Sequence, residues 1–329
     1  MSHILLLGAG FSRNWGGWLA VEAFEYLLGC PEVDDDLRNL LWKHRRQGGF
    51  ESALGELQIG FAQRRDQPTA GQLQKLEAAV SRMFGAMNEA FARIIDFEFQ
   101  TAPAERTHLL RTFLLGFDAI FTLNQDLLLE RHYLDGNIAL MSKRRWKGWQ
   151  LPGTRCTARA SGIEDPTTKR CPVQPAEFAI TDGLQPYFKL HGSSNWVDES
   201  TGGPLLVIGG QKRSTIEQHR ILAWTHQQFA EYLATPNTRL MVIGYSFSDD
   251  HINSTIADAA ERGGLRLFIV DLLGVDVLDE HRLNPIYVPG RLLVRLQTSV
   301  IGASRSTVRE IFGGDDVEHA KVLRFFNMA

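Results

Sequence analysis

Ile4-Leu5-Leu6-Leu7-Gly8-Ala9-Gly10-Phe11-Ser12 is an aliphatic run that stops at two glycines and a serine. Four aliphatic residues in a row suit a strand covered on both faces, and glycines let the chain turn sharply beside a ligand where a Cβ would collide. N–H groups freed at such a turn can hold a pyrophosphate. The dinucleotide fingerprint G-x-G-x-x-G is incomplete, because Gly8 and Gly10 fit while Arg13 stands at the third glycine position. On its own the stretch suits a nucleotide loop and an ordinary strand-to-helix turn equally.

The last third of the chain decides the class. Arg239–Ser246 reads as a strand and turn, about 250–262 as a helix, and Leu265–Asp271 as a strand ending in an acid. Strand, helix, strand in this rhythm implies a right-handed crossover and a parallel sheet. Ala119–Thr122 and Tyr187–Leu190 are further strands, each running into polar residues, and Leu205–Ile208 is another. The expected fold is α/β, a Rossmann-like doubly wound parallel sheet with a helical insertion or cap.

The insertion covers about 34–116. Asp34-Asp35-Asp36 open one helix as caps, without the oxygen-ligand pattern of a metal loop. From Thr69 to about Phe99 the apolar residues Leu73, Leu76, Val80, Met83, Met87, Phe91 and Ile94 recur every three or four positions, giving a long amphipathic helix with a core stripe. A second insertion, about 135–186, reads as irregular and is basic from Ser142 to Pro172. With Trp146 and Trp149 interleaved it could hold a nucleic-acid backbone, form a rim for an anionic nucleotide, or be a solvated loop. The whole of 1–329 is expected to form one catalytic domain around these insertions.

Composition excludes more than it selects. A net charge of −3 and a pI near 6.4 give no general attraction to nucleic acid or to an anionic membrane. Cys30, Cys156 and Cys171, three at wide spacing, argue against a disulfide framework and for a reducing, cytoplasmic setting. The amino-terminal apolar run is too short for a signal peptide or anchor. No Gly-Lys-Ser/Thr phosphate loop is present, which argues against ATP hydrolysis.

Five polar clusters follow strands: Gly8–Ser12, Asn124–Asp126, His191–Ser193, Gly244–Asn253 and Asp271. In a parallel sheet they converge on one crevice at the carboxyl ends of the strands. Asp271 there suits either a ribose hydroxyl or a helix cap.

Their order and wording resemble the sirtuin family, which carries Gly-Ala-Gly-x-Ser, Asn-x-Asp, His-Gly and Gly-x-Ser. These stand here as Gly8-Ala9-Gly10-Phe11-Ser12, Asn124-Gln125-Asp126, His191-Gly192 and Gly244-Tyr245-Ser246, and Ile243–Asn253 is similar to the sirtuin-like domains of bacterial antiphage systems. Deacetylases carry a four-cysteine zinc module after the His-Gly motif, whereas no cysteine follows Cys171. The resemblance therefore implies an NAD hydrolase without zinc, with NAD as substrate and water as acceptor, depleting NAD in defence. It implies Asn124 and His191 as catalytic residues. Gly8, Ala9, Gly10, Ser12, Asp126, Gly244, Ser246, His251 and Asp271 are implied to bind the nucleotide, with Arg13 a phosphate contact. It also implies a trigger, either self-assembly into a homo-oligomer or an activating partner of ATPase or Argonaute type. The rival readings are an NAD or ADP-ribose sensor without turnover, a nucleic-acid-associated subunit, and a deacylase in which another element replaces the zinc lobe.

Overall fold

A computed structural model describes residues 1–64, 67–99, 109–134, 138–141, 145–157, 165–198, 202–210, 212–279 and 292–327. The strands are β1 (Ser2–Leu7), β2 (Ala119–Thr122), β3 (Gly148–Gln150), β4 (Thr154–Cys156), β5 (Arg170–Pro172), β6 (Leu184–Lys189), β7 (Gly192–Val197), β8 (Pro204–Leu206), β9 (Thr238–Ile243), β10 (Arg266–Val270) and β11 (Val300–Ser304). Seven of them form a sheet in the order β11-β10-β9-β1-β2-β6-β3, and every pairing in it is parallel.

β1 lies at the centre, between β2 and β9, with Leu7 opposite Thr122 on one side and Ile243 on the other. Ile4, Leu5, Leu6 and Leu7 are all 0 % exposed, because alternate side chains enter two different cores. Leu5 and Leu7 pack with the helices Ala20–Leu28 and Gln67–Ala92, while Ile4 and Leu6 pack with Phe229 and Leu233 of the helix Arg220–Ala234 and Ile252 and Ile256 of the helix Asp250–Gly263. Helices on both faces explain why the strand reads as an unbroken aliphatic run rather than an alternating one. The doubly wound expectation therefore holds.

The helices Asp35–His44, Gly49–Arg64 and Gln67–Ala92 form the helical block between β1 and β2. Asp34 caps the first of them, its carboxylate accepting from the Leu37 N–H at 3.0 Å. Leu76, Val80, Met83, Met87 and Phe91 make the buried stripe that the periodicity predicts. That helix ends at Ala92 rather than near Phe99; Phe99 takes a left-handed φ of 59°.

The segment 135–186 is not simply irregular. β3 adds an edge strand to the main sheet, and β4 and β5 build a second sheet in the order β4-β5-β7-β8. Three-residue strands are too short to show alternation, so the sequence pattern hid them. Arg170, read as part of a basic surface, is 2 % exposed, with its guanidinium donating to Thr154 Oγ1 at 2.9 Å and to the Thr154 carbonyl. Arg145 pairs with Asp118 at 2.7 Å and donates to the Gly116 carbonyl. Positions 142–144 and 158–164 of that basic stretch lie outside the described residues. Among the described residues no helix is long and apolar enough to cross a membrane.

Candidate active site

The strand order changes direction at β1: the chain passes to β2 on one side and later returns to β9 on the other. Such a switch point opens a crevice at the carboxyl ends of the strands. An open cleft of about 2240 Å³ lies there, lined by the loops after β1, β2, β6, β9 and β10 and by the helical block. Gly8, Ala9, Gly10, Asn124, Asp126, His191, Gly244, Ser246, His251 and Asp271 all line it. Four of the five polar clusters thus meet in one place with the terminal acid of β10 beside them.

The glycines have a reason the sequence did not show. A Cβ on Gly8 would stand 2.5 Å from the Gly244 carbonyl oxygen, and one on Gly10 would stand 2.7 Å from the Gly244 Cα. Gly244 itself has φ +63°, and a Cβ there would meet the Gly10 carbonyl carbon at 2.4 Å. The Gly8 N–H donates to the Ile243 carbonyl and the Gly10 N–H to the Gly244 carbonyl. The β1 and β9 loops are therefore joined backbone to backbone, and the glycines are required by this contact before any ligand is considered.

Asn124 is fixed on all but one side. Its N–H donates to Thr122 Oγ1, and its side-chain amide donates to the Gly8 carbonyl and to Ser12 Oγ, each at 3.0 Å. A carbonyl can only accept, so the amide nitrogen must face Gly8. Both amide protons are then used within the protein, and Oδ1 is left as an acceptor for a hydroxyl or water in the cleft. Ser12, expected at the nucleotide, is 4 % exposed and is not among the cleft-lining residues; its Oγ accepts from the Asn124 amide.

The loop carrying Asn124 is pinned from below. Lys189, fully buried at the end of β6, donates to the Asp126 carbonyl at 2.6 Å and to Glu130 Oε1 at 2.5 Å. Burial pushes the Glu130 carboxyl pKa up, against the opposing pull of Lys189. Gln125 donates to the carbonyls of His191 and Val207, and Asp126 Oδ1 accepts from the Leu128 N–H. Asp126 thus shapes its own turn at the cleft wall.

His191, 4 % exposed, places its Nε2 at 3.2 Å from the Nε2 of His251. A third ring, His226, lies 5.4 Å from His251 and 6.4 Å from His191 between centroids, with its Nε2 at 2.9 Å from the Leu190 carbonyl. Burial lowers the pKa of all three, that of His191 well below the usual value and that of His226 to about 4. Near neutrality His191 is an uncharged imidazole, the form that accepts a proton.

Asp249 and Lys212 complete this wall. Lys212 bridges Asp249 at 2.8 Å and Glu51 of the helical block at 2.7 Å. Burial opposes charge on Lys212, yet the two carboxylates hold its pKa above the usual value. Burial likewise works against ionised Asp249, but its coupling to the facing His191 and to the Lys212 ammonium, which also donates to it, outweighs burial and lowers its pKa. The β9 loop is braced by Tyr245, whose hydroxyl accepts from the Asp249 N–H, and by Asn253, whose amide donates to the carbonyl of Phe247 at φ +54°.

The remaining expected contacts are less specific. Ser246 is exposed at the cleft edge and donates to Ser248 Oγ. Asp271 lines the cleft while its Oδ1 accepts from the Leu273 N–H, so it also serves its own turn. Arg13 pairs with Glu22 at 2.7 Å on the cleft wall. Sequence reasoning missed Lys212, Asp249, Lys189 and His226; of these, Asp249 sits inside the quoted Ile243–Asn253 stretch and Lys189 in the strand before His191, whereas His226 carries no signal beyond its helix.

These features define an α/β protein with its ligand cleft at the topological switch point. Residues 118–283 match the SIR2-like domain, about half of the chain, and the chain belongs to that family. The match contains Asn124, His191, Gly244, His251 and Asp271 but not the Gly8–Ser12 loop. A SIR2-like domain implies NAD-related activity. Among solved structures, one described as "The Structural basis for Sirtuin Substrate affinity" is 13 % identical, with a TM-score of 0.35, covering 94 % of this chain and 90 % of that one. No curated protein matches the chain.

Cys30 is buried between the helices Ala20–Leu28 and Asp35–His44, and Cys156 Sγ is engaged by Thr168 Oγ1 and Arg170 Nη1. Among the described residues no three His, Cys, Asp or Glu are grouped to hold a metal.

Proposed function

We propose that the chain is an NAD glycohydrolase, cleaving the nicotinamide–ribose bond to give nicotinamide and ADP-ribose. The observation that carries this reading is that Asn124 and His191 line one cleft, the first with only Oδ1 left to offer and the second as a neutral imidazole. Cleavage develops positive charge at the anomeric carbon while nicotinamide leaves uncharged, so the site must grip the ribose and deliver water. Asn124 Oδ1 accepts from a ribose hydroxyl or the attacking water and holds it in place. His191 takes the proton released by that oxygen as the new C–O bond forms. The Gly8–Gly10 turn and the β9 loop form the wall facing the phosphates, with Asp271 toward a ribose.

The same reading treats 1–329 as one catalytic unit and places it in antiphage defence, where NAD depletion starves an infected cell. Its trigger is self-assembly or an activating ATPase-type or Argonaute-type partner. The test is nicotinamide release from NAD by the purified protein. Asn124→Ala and His191→Ala are each expected to slow it by about 10²–10⁴-fold. Undiminished release in both variants overturns the residue assignment. NAD binding measured by calorimetry without product, with and without a candidate partner, replaces hydrolysis with sensing.

A further inference from the structure

We propose that His251 is the proton-accepting partner of His191, a positioning residue that sets which ring nitrogen of His191 is free to act and passes the proton from the cleft toward solvent. The inference rests on the hydrolase reading for its chemistry, and on the 3.2 Å Nε2–Nε2 contact for its geometry.

Two imidazole nitrogens at hydrogen-bond distance cannot both carry a proton, nor can both lack one and remain bonded. One Nε2 donates and the other accepts, so the tautomer of one ring fixes that of the other. When His191 Nε2 is the donor, its Nδ1 holds the lone pair. In the reaction the O–H bond of water or a ribose hydroxyl breaks and its proton joins His191 Nδ1. The Nε2 proton of His191 then moves to His251 Nε2, leaving His191 neutral and His251 as imidazolium. That cation loses its proton to bulk water, and no oxidant or further reactant is needed.

The surroundings favour this direction. His226 cannot take the proton at Nε2, because that nitrogen faces the Leu190 carbonyl at 2.9 Å and must carry hydrogen to bond it. His251 is only half-buried and lines the cleft, whereas His191 is 4 % exposed. Charged groups from several elements bear on the pair. Asp249 favours a proton on either ring; Lys212 opposes one on both; Asp250 favours and Arg213 opposes one on His251. Lys212 is neutralised in turn by Glu51 and Asp249. An imidazolium at His251 therefore sits beside carboxylates whose opposing lysine is already paired.

The experiment measures nicotinamide release against pH for the wild type, His251→Ala and His251→Gln, with and without added imidazole. Both variants are expected to lose about 10–100-fold in kcat, less than the loss of the base itself, with KM for NAD within about twofold. Imidazole is expected to restore His251→Ala, more strongly as pH rises and more of it is neutral. Gln keeps a hydrogen-bonding side chain but takes up no proton, so its loss separates proton transfer from packing. An unchanged kcat, or a loss confined to KM that imidazole does not relieve, overturns the proposal. ¹⁵N NMR of the histidine rings reads the pair without turnover. Complementary tautomers that disappear in His251→Ala support the pair even if the wild type releases no nicotinamide, an outcome that sinks only the hydrolase. A His191 tautomer and titration unaffected by His251→Ala overturns it.

Discussion

Asn124 and His191 face the same cleft but are held by different kinds of chemistry. Asn124 is locked by a backbone carbonyl and two hydroxyls, none of which changes charge between pH 4 and 9. His191 sits among His251, His226, Asp249 and Lys212, where each proton gained or lost is felt by its neighbours. One wall is a fixed frame and the other is a titrating network. The contrast teaches that placement of the substrate and its response to pH are separable in this molecule.

The largest expected effect removes both walls together. Gly244→Val places a Cβ against Gly10 at a left-handed backbone position, and we expect about 2–6 kcal/mol of destabilisation and no residual turnover, read by urea unfolding and nicotinamide release. Near-normal stability would mean that the two loops can part without cost. Next, Asn124→Ala and His191→Ala should both be slow, yet differently: the residual activity of Asn124→Ala keeps the wild-type pH profile, while that of His191→Ala becomes flatter at acid pH. Matching profiles would erase the distinction between the walls.

Acid should weaken the titrating wall in the folded protein itself. Buried His191 and His226 bind protons less readily than in the unfolded chain, so the unfolded state takes up more protons below pH 6.5 and stability falls as pH drops. The contribution is fully present above pH 6.5. For His226, with its pKa near 4, acidification from pH 7 to 5 removes about 2 kcal/mol, which His226→Gln should largely abolish in thermal melts. A smaller effect is expected from Ser12→Ala: about 1 kcal/mol and a several-fold slower reaction at every pH, since it frees only one amide proton of Asn124. Smallest of all, Arg13→Ala removes a half-exposed ion pair and should change stability by less than about 0.5 kcal/mol. A large rise in KM for NAD in that variant would make Arg13 a phosphate contact after all.

Much of this was legible in the residues, and for physical reasons. β1, β2, β9 and β10 announced themselves because a strand buried on both faces must be aliphatic throughout, and the helix Gln67–Ala92 because one face of it must be. The edge strand Gly148–Gln150 and the small-sheet strands Thr154–Cys156 and Arg170–Pro172 were not legible: they are too short for a pattern, and the burial of Arg170 depends on partners that only folding supplies. At the site, strand ends and glycines predicted where polar groups gather. They did not predict that Gly8, Gly10 and Gly244 serve one another, that Ser12 serves Asn124, or that His226 joins the histidines, because these are contacts between segments far apart in the chain.

The central strand of the sheet precedes both of its neighbours in the chain. β1 has no exposed aliphatic side chain between Ile4 and Leu7, yet its partners arrive only with Ala119–Thr122 and Thr238–Ile243. At about 5–20 residues per second the ribosome needs roughly ten seconds or more between delivering Ser2 and Thr238. Throughout that interval one edge of an aliphatic strand waits for its mate, a natural hold for a chaperone. The loops that Gly8 and Gly244 join cannot meet sooner, so a nascent chain has no finished cleft until Gly244 has been delivered.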